Sequence, residues 1–487
     1  MGRENVVMLL NLPSPPYSDV CRDWAGGFGT AMPAKRRDEY GQSGDPFFYP
    51  FLAYGSAVLN KQNCDYTVLD GQKSKLNKPQ ILKAVEKKSP DVILSLLGLP
   101  SLRGDLALLN AIKETVPNAI IVCVGTSCKV LKQEIFDKAK VDVISTSAYP
   151  YVSNLALLIE ALRQKQDLSR VPSLSYVKDG KVFSSAKVSP QGLDSLFPPN
   201  YEGLDLDGYE HFGDYDGNRY RYISILGSTG CSNACYYCPY PLGFGTRWSG
   251  RSPEDIATEI EYLSSRGVKG VMFRDQSFPF NESRATRICD LIIERKLDVA
   301  WSCEARVDHL SRRVLEVMKK AGCRMIQLGV ETGDERLIGE AKPGVNLDII
   351  RKAFRLMKEY RLCSMAHVIF GWPEESAESM ERTGRFVAEL APDRVNWNFL
   401  TPYPGTQLQE IAKSRNLILT YDWSKYTSHT VVMGTRWLSG SQIWRKGNEI
   451  MRNHRRNEIV KLLLSIDKRT PRLVLEEIVA TLKSVLP

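Results

Sequence analysis

Two tracts of alternating strand-like and helix-like segments limit what this 487-residue chain can fold into. In the first 165 residues, β-branched runs fall at 5–11, 65–70, 90–96, 119–125 and 141–146. Helical patterns lie between them at 52–61, 79–88, 102–116, 130–138 and 152–164. Alternation with short loops predicts a parallel sheet with helices on both faces, a Rossmann-like α/β domain. From 221 to about 400 the alternation returns with a longer period. Strands are expected at 222–227, 270–274, 299–303, 325–330, 366–371 and 395–400. Helices are expected at 253–266, 282–296, 311–321, 347–360 and 376–390. The run Ser252-Pro253-Glu254-Asp255 marks one helix start, with serine as cap, proline in the first turn and acids at the positive end of the dipole. Six such units predict a partial barrel, whose site lies at the carboxyl ends of its strands.

The rest of the chain connects and covers these tracts. Residues 166–220 read as a linker holding one hairpin over 173–183, turning at Asp179-Gly180. Residues 401–487 read as a cap, mostly helical. Its aromatic stretch 421–436 is expected to close the barrel mouth, and 443–464 to form a basic helix with a solvated face. A Gly-rich insert over 23–46, containing Gly26-Gly-Phe-Gly29, is expected to lack secondary structure. Long loops of that kind in compact domains tend to be functional.

The chemistry concentrates in Cys231-Ser-Asn-Ala-Cys235-Tyr-Tyr-Cys238-Pro, which follows the first barrel strand. Thiolates are soft ligands that favour iron–sulfur clusters and zinc. A structural zinc site or a closed 4Fe–4S cluster takes four protein ligands, and only three are local here. Three thiolates on a four-iron cube leave one iron open. The other cysteines, Cys21, Cys64, Cys123, Cys128, Cys289, Cys303, Cys323 and Cys363, are scattered and read as core thiols of a reducing compartment. The remaining barrel loops carry Asp275, Glu304, Arg306, Glu331 and the segment Ile369-Phe-Gly371-Trp-Pro-Glu374.

The cysteine triplet, with Tyr237 before its last member, resembles the signature of the radical S-adenosylmethionine (SAM) superfamily. The resemblance implies that Cys231, Cys235 and Cys238 hold a 4Fe–4S cluster whose open iron chelates SAM. One electron then cleaves SAM to methionine and a 5′-deoxyadenosyl radical. It further implies a SAM site that includes Tyr237, Glu331, Ile369, Gly371 and Glu374. The family pattern around Ile369 starts with glycine where this chain has His367. Asp275, Glu304 and Arg306 are expected to contact substrate or cofactor, with structural ion pairing as the alternative for Asp275 and Arg306.

The N-terminal tract resembles the cobalamin-binding domain that precedes many radical SAM barrels. Element order, Pro15-Pro16 after the first strand and the Gly125 turn carry that resemblance. It implies a cobalamin site that includes Pro15, Ser95, Ser101, Gly125 and Thr126. The chain has no Asp-x-His-x-x-Gly, and no histidine before His211, so a His-off cobalt is expected. The activity implied is methylation of an unactivated carbon or phosphorus of a small molecule, such as a natural-product scaffold. A second SAM molecule would supply the methyl group through cobalamin. Two alternatives stay open. One is radical chemistry without methyl transfer, either oxidative cyclisation or dehydration and epimerisation. The other is methylthiotransferase-like RNA modification, which calls for three further clustered cysteines.

The net charge of +9 is modest for this length, so it demands neither nucleic acid nor an acidic partner. No apolar run reaches the length of a membrane span. The N-terminus has no signal-peptide pattern, and Val6 breaks a myristoylation motif. The expectation is a cytoplasmic enzyme with a small-molecule substrate and a flavodoxin- or ferredoxin-type electron donor.

Overall fold

The computed structural model describes residues 6–15, 18–33, 47–187, 193, 198–212, 219–233 and 235–465. Its N-terminal part runs β1 (Val6–Asn11), β2 (Ser18–Cys21), β3 (Thr30–Pro33), β4 (Asp65–Asp70), β5 (Val92–Leu96), β6 (Ile120–Val124), β7 (Val143–Ser145), β8 (Leu174–Lys178) and β9 (Lys181–Ser184). One sheet orders these as β4-β1-β5-β6-β7-β8-β9, and its first five strands are parallel. Val7, Met8, Leu9 and Leu10 of β1 are all buried, as expected for a central strand covered on both faces. The strand order reverses between β1 and β5, which marks the switch point where such sheets open a crevice.

The second sheet is the barrel. Its strands are β10 (Glu210–Phe212), β11 (Arg219–Ile225), β14 (Gly270–Phe273), β15 (Ala300–Ala305), β16 (Cys323–Glu331), β17 (Cys363–Phe370) and β18 (Arg394–Phe399). A two-stranded ladder, β12 (Ser228–Thr229) with β13 (Ser249–Gly250), sits between β11 and β14 in the chain. From β11 to β18 the six strands run parallel in chain order, and β10 pairs antiparallel at the open edge. The expected strands and helices of the barrel are therefore present. The helix at Pro253–Ser265 starts with Ser252 accepting from the Asp255 N–H, the cap that its sequence predicts.

The structure departs from the sequence reading in four places. The described part of the Gly-rich insert is structured: β2 and β3 form a hairpin around a short helical turn at Ala25–Gly27, and 34–46 lie outside the described residues. The hairpin expected in the linker, β8–β9, pairs with β7 and extends the N-terminal sheet. The helix expected over 130–138 is two, Thr126–Val130 and Lys132–Lys138, broken at Leu131. The tail holds helices at Gln407–Ser414 and Gly440–Ser465, with irregular chain between them closed by an Ile418–Met433 bridge. Among the described residues, no helix is long and apolar enough to cross a membrane.

Candidate active site

Strand periodicity aims the site. In β17, burial alternates residue by residue: Ala366, Val368 and Phe370 enter the core, while His367 and Ile369 border a cavity of about 390 Å³. Gln327, Gly329 and Glu331 reach the same cavity from β16, and Asn396 and Asn398 from β18. His367 ties this belt together: Nε2 meets Gln327 Oε1 at 2.9 Å, and Nδ1 meets Asn396 Nδ2 at 3.1 Å. Burial lowers the His367 pKa, which favours the neutral ring.

The cysteine loop forms another part of the cavity wall. The β12–β13 ladder closes its base, where the Cys231 N–H donates to the Gly245 carbonyl at 3.1 Å. Cys231, Cys235 and Cys238 all border the cavity. Asn233 Nδ2 donates to Cys231 Sγ at 3.3 Å, and Arg306 Nη1 to Cys235 Sγ at 3.7 Å. Donors on sulfur are one of the levers by which a protein tunes an iron–sulfur cluster. Burial raises the Cys235 and Cys238 thiols, a direction that bound iron reverses because a metal-bound thiol loses its proton. Among the described residues, no three His, Cys, Asp or Glu side chains converge as ligands of a single ion do.

Glu331 ends β16 with a left-handed backbone, φ 64°, next to a slip in register between Gly329 and Glu331. A non-glycine residue held there is strained and is common at functional sites. Its carboxylate meets Lys342 Nζ at 2.9 Å, and the lysine also donates to the Gly329 carbonyl at 3.0 Å. Both side chains are nearly buried and border the cavity. A Cβ at position 329 would push against the ends of the Glu331 and Lys342 side chains, so any larger residue there displaces the pair. Tyr237 lies beside Glu331, and its ring meets the Trp372 ring edge-on at 5.0 Å. Lys342 was missed in the sequence. It lies 11 residues beyond Glu331, after the helix Glu335–Ala341, with no local motif to single it out.

The N-terminal domain supplies the remaining wall together with the tail. Cys21, Trp24, Ala25 and Thr30 from the hairpin, with Phe47, face the cavity. Phe28 stacks on Tyr403 of the tail with ring centroids 5.1 Å apart. Gly26 and Gly27 have positive φ, and a Cβ on either would strike Pro239 or Tyr151. The glycines thus let the hairpin lie directly against the segment after Cys238. Arg274 is buried beside Asp23 (3.9 Å) and Glu304 (3.5 Å), and its guanidinium lies 5.0 Å over Trp24. The aromatic tail stretch reaches the cavity through Ser428 and His429.

Several expected site residues lie elsewhere. Asp275 is fully buried and accepts from the Gly227 N–H and the Ser228 hydroxyl, with Arg284 at 4.0 Å, so its role is structural. Glu374 points outward to Arg415 and Arg436. Its neighbour Glu375 turns inward to the Gly371 and Trp372 N–H groups, and burial pushes its pKa up to about 8. Gly371 shapes that turn without bordering the cavity. Glu304 and Arg306 do border it, although Arg306 also pairs with Asp308 at 2.9 Å. Pro15, Ser95, Ser101, Gly125 and Thr126 do not. Ser101 donates to Asp105 at 2.7 Å, and Thr126 to the Gly26 carbonyl at 2.6 Å. The buried hydroxyls of Ser95 and Ser127 have no partner among the described residues.

Known proteins resemble this chain. The profile of the radical SAM superfamily matches residues 225–387. An uncharacterized methyltransferase of Pyrococcus horikoshii is 28% identical over 394 residues, covering 80% of this chain and 84% of that one. The anaerobic magnesium-protoporphyrin IX monomethyl ester cyclase of Cereibacter sphaeroides is 25% identical over 429 residues, covering 85% of this chain and 67% of that one. Among solved structures, the cobalamin-dependent SAM radical enzyme OxsB superposes with a TM-score of 0.73 at 14% identity, over 99% of this chain and 71% of that one. The radical SAM methyltransferase TsrM of Kitasatospora setae gives 0.67 at 16% identity, over 85% of this chain and 77% of that one. Those two likenesses establish a shared fold. The three thiols, Tyr237 and Glu331 thus gather on one cavity inside the segment that matches the radical SAM superfamily, and this chain carries a radical SAM domain.

Proposed function

We propose that this enzyme is a cobalamin-dependent radical SAM methyltransferase acting on an unactivated carbon or phosphorus of a small molecule. The observation that carries the reading is one cavity bordered both by the cluster cysteines and by the N-terminal hairpin. Cys231, Cys235 and Cys238 fit a 4Fe–4S cluster because three soft thiols and two donors on sulfur face one space. Glu331 and Lys342 offer the opposite charges that the ammonium and carboxylate of SAM require. Lys342 holds Glu331 in place. For cobalamin, the unpartnered hydroxyls of Ser95 and Ser127 are unused hydrogen-bonding capacity near the strand ends of the N-terminal sheet. When bound, these groups supply the electron, the radical source and the methyl carrier. The chain's own residues orient SAM and screen the reacting centre from water behind Trp24, Phe47 and Tyr403. A flavodoxin- or ferredoxin-type protein in the cytoplasm would deliver the electron.

A second reading, radical chemistry without methyl transfer, is favoured by Thr126 and Ser101, whose hydroxyls already serve internal bonds. The cyclase relative points the same way. Product accounting separates the two. Anaerobic holoenzyme with cobalamin, reductant and the relative's class of substrate should yield 5′-deoxyadenosine and S-adenosylhomocysteine together. 5′-Deoxyadenosine without S-adenosylhomocysteine rejects methyl transfer and leaves cyclisation, dehydration or epimerisation.

A further inference from the structure

The cavity has two chemically different walls. The barrel wall carries every carboxylate, lysine and arginine that borders it: Glu304, Arg306, Glu331 and Lys342. Each has an opposite charge within reach, namely Arg274, Asp308, and, for the last two, each other. The wall from the hairpin, Phe47 and the tail contains none of these residue types. Its large side chains are aromatic, with Trp24 and Phe47 in ring contact at 5.4 Å and Tyr403 on the tail side, and Thr30, Thr401, Ser428 and His429 are its polar members.

A buried polar atom without a donor lies beside the cavity. Gln276 follows β14 and borders the cavity. Its Nε2 donates to the Arg274 carbonyl at 3.3 Å. Its Oε1 is buried and meets no donor among the described residues. A buried amide oxygen without a donor is destabilising, and a ligand hydroxyl or N–H would relieve it. A charged ligand against this wall would lose hydration and find no lysine, arginine or carboxylate there as counter-ion. A flat or bulky apolar body would gain contact with Trp24, Phe47 and Tyr403.

We infer that the substrate is a neutral, largely apolar small molecule bearing a hydroxyl or N–H. Its body lies against Trp24, Phe47 and Tyr403, and its donor reaches Gln276 Oε1. Gln276 is then a specificity-determining residue. The inference rests on the reading of this cavity as the radical SAM site and names its substrate class.

Equilibrium dialysis of SAM-loaded holoenzyme against three probes tests this. They are 2-naphthol, 2-methoxynaphthalene, which lacks the donor, and naphthalene-2-sulfonate, which is an anion. 2-Naphthol should bind about three- to ten-fold tighter than the methyl ether, the range of one hydrogen bond to a neutral acceptor. The sulfonate should bind at least about ten-fold more weakly than 2-naphthol, given the cost of an unpaired charge. Gln276→Leu should erase the preference for the hydroxyl and leave binding of the ether unchanged, and Trp24→Ala should weaken both neutral probes. Sulfonate binding equal to that of 2-naphthol overturns the inference, as does a hydroxyl preference that survives Gln276→Leu. The ranking on the unaltered protein decides the matter alone if the variant does not accumulate. 5′-Deoxyadenosine formation is read on the same sample. With cleavage intact, a failed ranking rejects only the substrate class, whereas absent cleavage rejects the radical SAM reading whatever the ranking.

Discussion

The two parallel sheets of this molecule use their carboxyl ends in opposite ways. In the barrel, β15, β16, β17 and β18 all send side chains into one cavity. In the N-terminal sheet, the ends of β1 and β5 are filled by the hairpin that follows β1. Arg22 is fully buried there and donates to the Leu12 carbonyl at 2.7 Å and the Pro13 carbonyl at 3.0 Å. It also pairs with Asp105 at 2.8 Å, which in turn accepts from Ser101 and the Gly98 N–H. One sheet holds its polar groups ready for a ligand, and the other satisfies most of its own. Similar topology therefore says where a site can form, and the side chains at the strand ends set how much polar capacity it offers, which in the N-terminal sheet includes the unpartnered hydroxyls of Ser95 and Ser127.

The largest expected effect lies in the barrel. Cys235→Ala should abolish both bound iron and SAM cleavage, because two thiols cannot hold a four-iron cluster against the solvent. Iron analysis and 5′-deoxyadenosine assay check this, and the N-terminal sheet should stay folded by circular dichroism. The matching change in the other sheet is Arg22→Met. Leaving Asp105 buried without its cation should lower stability by about 3–5 kcal/mol in denaturant unfolding. Iron per folded chain should not change. Loss of iron in that variant would mean that the hairpin, not only the barrel, builds the cluster site.

Lys342→Met comes next. It removes one buried charged hydrogen bond at Glu331, so SAM affinity should fall by about ten- to a hundred-fold, matching ~1.5–3 kcal/mol. Iron content should stay constant. Unchanged SAM binding by calorimetry would reduce the Glu331–Lys342 pair to a structural brace.

The smallest effects separate two adjacent acids. Glu374→Gln should shift stability by no more than about 1 kcal/mol, since Glu374 makes partly exposed pairs. Glu375 behaves differently. Its carboxyl is raised from 4.5 to about 8 by burial. The folded state thus keeps a proton that the unfolded state loses, and stability falls as pH rises through that window. Glu375→Gln should flatten the pH dependence of unfolding between 4.5 and 8. A profile identical to that of the parent would place the titration elsewhere.

These contrasts show what the sequence could carry. The strands and helices were legible because hydrophobic periodicity is local, and the cysteine loop because its three ligands span eight residues. Lys342 was not, since its partner is set by a turn of tertiary structure rather than by spacing. The pattern around Ile369 pointed to Glu374, one residue away from the acid that the Gly371 turn draws inward. The hairpin wall was hidden for a further reason. Glycines 26 and 27 read as irregular loop in one dimension, yet they are what allows close packing against Pro239. The cobalamin residues were drawn from strand order, which does not reveal that the hydroxyls of Ser101 and Thr126 already make internal hydrogen bonds.

The claim that the thiols, Glu331 and Lys342 form one SAM-binding radical site is tested most directly by electron paramagnetic resonance of the reduced, anaerobically reconstituted protein. The account predicts about four irons per chain and a single cluster signal. Adding SAM should shift its g-values, and Lys342→Met should require more SAM for the same shift. A signal that SAM leaves unmoved, or about eight irons per chain, would contradict it.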